Sequence, residues 1–224
     1  MEIHIEGVPK MVIVVARYNE SLVWLKPIPW KYIVYNKGKN NLPKWIKNVV
    51  KLPNTGREAN TYLTYIVDNY DDLPDYSIFL QGNPFDHCVN LIERISGFKG
   101  GQDYFSLNKI LVGHNRYGSL THAGRKVAKS ARELFVDDIQ FFRFSSGAQF
   151  IVSKKAILFH SKTTYQKLLD LMIEEPLPDE VCYYANHGRG GCGPECEHKK
   201  RFSAWIMERY WLTLFDSEHK TIYD

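Results

Sequence analysis

The chain has 224 residues, of which 44% are hydrophobic and 14% aromatic, and its formal net charge is +4. This composition can fill a sizeable core and excludes an intrinsically disordered protein. The positive charge is mild and dispersed, unlike the concentrated basic face of nucleic-acid-binding domains, and the apolar runs are too short to span a membrane. We therefore expect no nucleic-acid partner and no membrane span.

The first half of the chain alternates predicted strands and helices, which is typical of a parallel-type α/β sheet. Thr55 and Glu58 have the spacing of a capping box, which predicts a helix that runs to Tyr70. A second helix is predicted over Phe85–Ile95. Short apolar runs rich in β-branched residues predict strands at Met11–Ala16, Lys31–Tyr35, Asn48–Leu52 and Ser77–Gln81.

The second half is less regular. Strands are predicted at Asp103–Leu107 and Gln149–Ser153, residues 111–122 are predicted to be irregular, and residues 176–200 form a loop rich in Gly, Pro, Cys and His. Since no repeat or linker divides the chain, we expect one α/β domain with a mixed, mostly parallel, Rossmann-type sheet flanked by helices. Further helices are predicted at Ala123–Phe135, Thr163–Ile173 and Ser203–Phe215.

Polar loops follow three of the predicted strands. Ligands of open α/β sheets bind beyond the carboxyl ends of the strands, and these loops offer the cations, amides and carboxylates that a nucleotide diphosphate needs. Ordinary solvated loops are the alternative interpretation. Arg57 is unfavourable at a helix N-terminus, where a bound phosphate would suit it. The predicted donor-binding residues are Arg17, Tyr18, Asn19, Glu20, Asn36, Lys37, Arg57, Gln81 and Asn83.

Several stretches resemble glycosyltransferases of the GT-A type, and more closely a glycosyltransferase-like family long known only as a domain of unknown function. The resemblance covers most of the chain in the right order, and related sugar-transferring domains occur in large algal viruses. It rests on Val14–Glu20, Tyr35–Gly38, Leu52–Ala59, Phe79–Gly82, Ser146–Phe150 and Met207–Arg209 with Trp211.

The resemblance implies a GT-A fold in which residues 1–100 form the donor-nucleotide half and residues 101–224 the acceptor half. It places Ser146, Gly147 and Gln149 beside the acceptor. An inverting transferase needs a carboxylate that takes the proton of the acceptor hydroxyl. Glu208, which lies among large apolar residues, and Asp86 are the predicted catalytic residues; Asp179 and Glu180 are alternatives to Glu208.

The sequence departs from the wider GT-A pattern in its metal ligands. The strand end at Gln81–His87 has no Asp-x-Asp, the pair of carboxylates that usually holds Mn²⁺ or Mg²⁺ against the diphosphate. Either Asp86 and His87 hold the metal, or Arg17, Lys37 and Arg57 neutralise the diphosphate without one.

A second candidate metal site lies in the loop 176–200. Cys192, Cys196 and His198, together with His187 or Cys182, could hold a structural Zn²⁺. The spacing Cys-x-x-x-Cys-x-His is not that of a standard zinc knuckle, so the sequence favours an acceptor or lid loop.

The leading hypothesis is therefore a glycosyltransferase that moves a sugar from a nucleotide-diphosphate sugar to a glycan or glycoprotein hydroxyl. One alternative is a nucleotide-sugar-binding protein with little or no turnover. Another is a metal-dependent hydrolase that uses Asp86, His87, His114 and His122. The N-terminus does not resemble a secretory signal, so we expect a cytoplasmic protein, and a viral protein acting in the host cytoplasm would fit.

Overall fold

A computed structural model describes residues 9–108, 111–115, 134–137, 139–174, 202–217 and 220–224. Its strands are β1 (Met11–Arg17), β2 (Lys31–Asn36), β3 (Val49–Lys51), β4 (Tyr76–Gln81), β5 (Tyr104–Ser106), β6 (Leu111–Asn115), β7 (Phe141–Ser145) and β8 (Phe150–Ser153). Its α-helices are α1 (Arg57–Asn69), α2 (Leu91–Gly97), α3 (Lys154–Ile157), α4 (Lys162–Glu174) and α5 (Phe202–Leu214). Short 3₁₀ turns occupy Val23–Leu25, Tyr70–Asp72 and Pro84–Asp86.

Six strands form one mixed sheet in the order β3-β2-β1-β4-β8-β5. The pairs β3-β2, β2-β1 and β1-β4 are parallel, whereas β8 is antiparallel to both β4 and β5. Strands β6 and β7 form a separate antiparallel pair. The mixed, mostly parallel α/β sheet in a single domain is confirmed.

Both faces of the sheet are covered, because alternate residues of each central strand enter different apolar clusters. Val14 and Phe79 belong to the cluster under α1, α4 and α5, whereas Ile13 and Ile78 belong to the cluster under α2 and residues 22–46. Burial on both faces explains why β1 and β4 are continuous apolar runs. None of the helices in the described ranges has both the length and the apolar character needed to cross a bilayer.

Several predicted elements differ from the structure. The helix predicted from Phe85 begins only at Leu91, because a 3₁₀ turn at Pro84–Asp86 comes first. Residues 111–115, predicted to be irregular, form β6, which is stabilised by pairing with β7. The helix predicted at Ala123–Phe135 lies almost wholly outside the described residues, and Phe135 itself forms a bridge with Thr221.

A buried histidine joins the C-terminal residues to α4 and α5. His160 is fully buried; its Nδ1 lies 2.7 Å from Asp224 Oδ2 and its Nε2 lies 2.7 Å from the Leu214 carbonyl oxygen. Burial opposes ionisation of Asp224, but hydrogen bonds from the Thr221 amide, the Thr164 hydroxyl and His160 outweigh it and lower the pKa of the carboxyl.

Replacing Asp224 with Asn is expected to lower the free energy of unfolding by about 2 kcal/mol at pH 7, because a charge-assisted bond to a buried ring is lost. A carboxyl whose pKa is lower in the folded state stabilises above its unfolded pKa, and this contribution is lost as pH falls through the folded pKa. Urea unfolding of both proteins should therefore show a constant difference above about pH 5 that shrinks below about pH 4. Asp68→Asn, at an exposed position on α1, is the control and should change stability by under about 0.5 kcal/mol. A D224N difference that is independent of pH would contradict the assignment.

Candidate functional site

A cleft of about 850 Å³ opens at the carboxyl ends of β1, β2 and β4. From β1 the chain builds β2 and β3 on one side and then places β4 on the other, so the cleft lies at the point where the strand order reverses. Open α/β sheets bind their ligands at such switch points. The cleft is lined by Ala16, Arg17, Tyr18, Glu20, Lys37, Asn54, Gly56, Arg57, Glu58, Gln81, Gly82, Asn83 and Asp86.

Arg17 joins the loops that follow β1 and β2. Its buried guanidinium donates to Asn36 Oδ1 at 2.6 Å, to Asn41 Oδ1 at 2.8 Å and to the Glu20 carbonyl oxygen at 3.0 Å. Burial lowers the pKa of Arg17, although the charge of Glu20 acts in the opposite direction. Arg17 and Asn36 therefore contribute to the predicted site mainly by fixing the shape of the two loops.

Glu20 organises the loop after β1 and brings it against the loop after β4. Its Oε2 accepts hydrogen bonds from the amides of Tyr18 at 2.7 Å and Asn19 at 3.1 Å. A Cβ on Gly82 would overlap the same carboxylate, and Trp24 Nε1 donates to the Gly82 carbonyl oxygen at 3.0 Å. The Tyr18 side chain is left half exposed, at 49%, on the cleft wall. The close contact at Gly82 explains why glycine occupies that position.

Lys37 connects the end of β2 to the start of α1. Its ammonium donates to the carbonyl oxygens of Thr55 at 2.6 Å and Arg57 at 2.5 Å, and to Asn60 Oδ1 at 2.9 Å. Burial lowers the pKa of Lys37 to about 7, and the charge of Glu58 limits this fall. The ammonium thus supplies positive charge at the floor of the cleft while it holds the first turn of α1 in place.

Helix α1 begins without the predicted capping box. Gly56 is the N-cap residue, with φ +58°, and Arg57 follows with φ +48°. Because these two residues are left-handed, Thr55 is displaced from the capping position and the N-cap glycine offers no side chain, while the Glu58 carboxylate accepts a hydrogen bond from its own amide. The capping box of Thr55 and Glu58 was therefore a wrong prediction. The exposed Arg57 and the half-buried Glu58 instead line the cleft.

The predicted site residues in and around the loop after β4 lie in two different places. Gln81, Asn83 and Asp86 line the cleft. Gln149, predicted beside the acceptor, is fully buried behind this wall, where its Nε2 donates to the Pro84 carbonyl oxygen at 3.0 Å and to Asn108 Oδ1 at 3.1 Å. Gln149 therefore supports the loop from behind.

The segment 146–148 is held by two helices. Gly147 N donates to Glu208 Oε1 of α5 at 2.7 Å, and Tyr62 of α1 donates from its hydroxyl to the Ala148 carbonyl oxygen at 3.1 Å. Gly147 (φ +93°) and Ala148 (φ +45°) both have left-handed backbone. A Cβ on Gly147 would lie 2.8 Å from His87 Cγ, so the loop after β4 closes against this segment.

Glu208 contacts the segment 146–148. Neither Glu208 nor Ser146, the first residue of this segment, is among the residues that line the cleft. The Glu208 side chain is 13% exposed, and its second oxygen lies 3.5 Å from Arg209 Nη1. Its carboxylate is thus fixed by a backbone amide and by a neighbouring guanidinium. The Ser146 carbonyl oxygen accepts a hydrogen bond from Asn108 Nδ2.

Of the ligands predicted for the diphosphate metal and for zinc, only Asp86 and His87 lie in the part of the chain that the structure describes. There, no group of three or more His, Cys, Asp or Glu side chains is close enough together to hold a metal ion, and both Asp86 and His87 are exposed. The candidate zinc ligands Cys192, Cys196 and His198, like His122 of the hydrolase alternative, lie outside the described residues.

Sequence reasoning missed five residues of the cleft: Ala16, Asn54, Gly56, Glu58 and Gly82. Glu58 was assigned to a capping box, which removed it from consideration as a site residue. The informative signal was the neighbouring Arg57, which is unfavourable for a helix start and lines the same cleft.

Among the comparisons with known proteins, one family model matches most of the chain. No curated protein and no solved structure matches the chain. The family described as "Protein of unknown function (DUF3431)" matches residues 12–94 and 113–223, which include β1, β2, β4, the start of α1 and Glu208. The chain belongs to the DUF3431 family.

Proposed function

We propose that the protein is a glycosyltransferase, which transfers a sugar from a nucleotide-diphosphate sugar to a hydroxyl of a glycan or glycoprotein. The observation that carries the proposal is the cleft at the switch point between β1 and β4, because it combines buried cations with carboxylates at the carboxyl edge of a parallel sheet.

The charge distribution supports a diphosphate at one end of the cleft. Lys37, Arg57 and the start of α1, where the N-cap residue is a glycine, form a positive region there. A helix N-terminus attracts phosphate through its free amides and its dipole. The half-exposed ring of Tyr18 offers a surface on which the nucleobase stacks, while Asn19 remains exposed beside it.

The topology supports a GT-A type of fold within this proposal. A parallel four-stranded half, β1 to β4, supplies the nucleotide cleft. The antiparallel β8 then follows the segment 146–148, which the family resemblance places beside the acceptor. Donor and acceptor would thus meet between Glu58, Asp86 and this segment.

A nucleotide-sugar-binding protein without turnover is the second candidate. The observation that favours it is the loop after β4, where Gln81–His87 contains no Asp-x-Asp and where Asp86 and His87 are exposed.

The proposal predicts a nucleotide-specific thermal shift. At a ligand concentration of about 100 times Kd, binding adds about 2.7 kcal/mol to the free energy of unfolding, or roughly 5–10 °C in Tm for a domain of this size. The test screens UDP, GDP, CMP and their sugars, with and without Mn²⁺. Arg57→Ala should reduce the shift by more than half, since it removes a cation from the cleft, whereas Arg143→Ala, at an exposed position on β7, should not.

The outcomes separate the two candidates. No shift with any nucleotide would contradict both. A shift together with release of nucleoside diphosphate from the bound sugar nucleotide supports the transferase, and a shift without release supports the binding protein.

A further inference from the structure

Glu58 differs from the other carboxylates that line the cleft. Glu20 is already bonded to the amides of Tyr18 and Asn19 through its Oε2, and Asp86 is exposed to solvent. Glu58 is half-buried at the start of α1, and in the described residues it is the third and last carboxylate of the cleft. It is therefore the cleft carboxylate that combines access to the ligand with shielding from water.

The position of Glu58 lies between the two predicted halves of the site. On one side, its neighbour Arg57 and the ammonium of Lys37 form the positive end of the cleft. On the other side, Tyr62 lies one turn further along the same face of α1 and donates to the Ala148 carbonyl oxygen. Residues four apart on a helix are neighbours; burial raises the pKa of Tyr62, and the charge of Glu58 raises it further.

Glu208 approaches the same segment from α5. Its Oε1 is fixed by the Gly147 amide at 2.7 Å, so this carboxylate has a set position next to the turn that Tyr62 holds. Glu208 also lies near enough to Glu58 for its charge to raise the pKa of Glu58, and of the two glutamates only Glu58 lines the cleft.

We propose that Glu58 is the catalytic residue that takes the proton of the acceptor hydroxyl, and that Glu208 is a positioning residue for it. This inference rests on the proposed glycosyl transfer. In the step, the acceptor oxygen forms a bond to the anomeric carbon of the donor sugar as its proton moves to the Glu58 carboxylate. The bond from the anomeric carbon to the phosphate oxygen breaks, and the nucleoside diphosphate leaves with the electron pair beside Lys37 and Arg57. Glu58 then returns the proton to solvent.

The electrostatic surroundings tune Glu58 for this role. Burial is the main cause that raises the pKa of Glu58, and the charge of Glu208 raises it further. A hydrogen bond with its own backbone and the charges of Arg57 and Lys37 act in the opposite direction. Asp86 and His87 face the same region from the loop after β4. A carboxylate with a raised pKa is a stronger base, provided that the pH lies above that pKa.

The test measures nucleotide binding by thermal shift and release of nucleoside diphosphate from the bound sugar nucleotide, with water as the acceptor, from pH 4 to pH 9. Glu58→Gln should bind the nucleotide but release it at least about 100-fold more slowly, and the acidic limb of the wild-type rate profile should disappear. Glu208→Gln can still accept the Gly147 hydrogen bond, and since a negative charge is lost, its acidic limb should move to lower pH. Glu93→Gln, an exposed glutamate in the first turn of α2, is the matched control and should follow the wild type.

Each outcome decides the assignment. If Glu58→Gln releases nucleoside diphosphate at the wild-type rate, the roles proposed for the two glutamates are overturned, and the proposed transferase stands. The same holds if the acidic limb of the rate profile does not move in Glu208→Gln. Binding without release by the wild-type protein would overturn the transferase itself. If Glu58→Gln does not fold, Glu58→Asp replaces it, and an unchanged rate and limb in that variant count against the proposal.

Discussion

Replacing Gly38 with alanine is expected to abolish nucleotide binding and to lower the free energy of unfolding by about 3 kcal/mol. A Cβ at this position would overlap the carbonyl oxygen of Tyr18 and lie 2.6 Å from Asn19 Oδ1. The obstacle is backbone, and that backbone is held by Arg17 and Glu20, so it cannot move without breaking their hydrogen bonds. Urea unfolding and the thermal-shift assay with the best-binding nucleotide measure the two effects.

Gly97→Ala provides the matched control. A Cβ on Gly97, the last residue of α2, meets no atom within 4 Å, and alanine favours helical backbone. We expect a change within about 1 kcal/mol, on the stabilising side, and wild-type nucleotide binding. If Gly38→Ala is as stable as Gly97→Ala, the loops after β1 and β2 do not contact each other as described.

Lys37→Met is expected to destabilise the protein by about 3 kcal/mol. The substitution leaves the buried oxygens of Thr55, Arg57 and Asn60 without their donor, and each lost bond of this kind costs about 1–3 kcal/mol. Relief from burying the ammonium offsets part of this cost. Lys39→Met, two residues further along and exposed, is the control and should change stability by less than about 0.5 kcal/mol.

The pH dependence of stability provides a second measurement on the same variant. The pKa of Lys37 is about 7 in the folded protein and near 10.5 when the group is free in water. For a base with a lowered folded pKa, the unfolded state binds more protons between these two values, so stability rises with pH across this range and does not depend on this group below about pH 7. This rise should be present in the wild type and absent from Lys37→Met, and an equal slope in both proteins would show that Lys37 does not titrate in this range.

The central strands were predictable because the local pattern of their residues is sufficient to identify them. β1 and β4 are buried on both faces, and such strands need continuous apolar residues. β6 contains Gly113 and has no such pattern, since its stability comes from pairing with β7, about 30 residues further along the chain. The insertion of the antiparallel β8 between β4 and β5 is likewise a long-range arrangement that local periodicity does not encode.

The candidate site likewise contains features that local patterns predict and features that depend on long-range contacts. The rule that ligands bind at the carboxyl ends of parallel strands located the cleft, and it correctly selected the loops that contain Arg17 and Lys37. The partners of these cations are acceptors elsewhere in the chain, such as Asn41 in a loop and Asn60 in α1, so the supporting role of the cations became visible only in three dimensions. Glu58 was missed because its spacing from Thr55 is that of a capping box. The left-handed backbone at Gly56 prevents that capping box from forming.

The hydrogen bonds of Arg17 and Lys37 have a consequence for how a ligand is selected. Both cations lose most of their hydration when the chain folds, so Lys37 at the floor of the cleft and Arg17 in the adjoining loop are dehydrated and oriented before any ligand arrives. Such a preorganised region requires little rearrangement on binding. A ligand whose phosphate chain is too short cannot bind these cations by moving their side chains outward. We therefore expect the cleft to discriminate sharply between ligands with one phosphate and ligands with two.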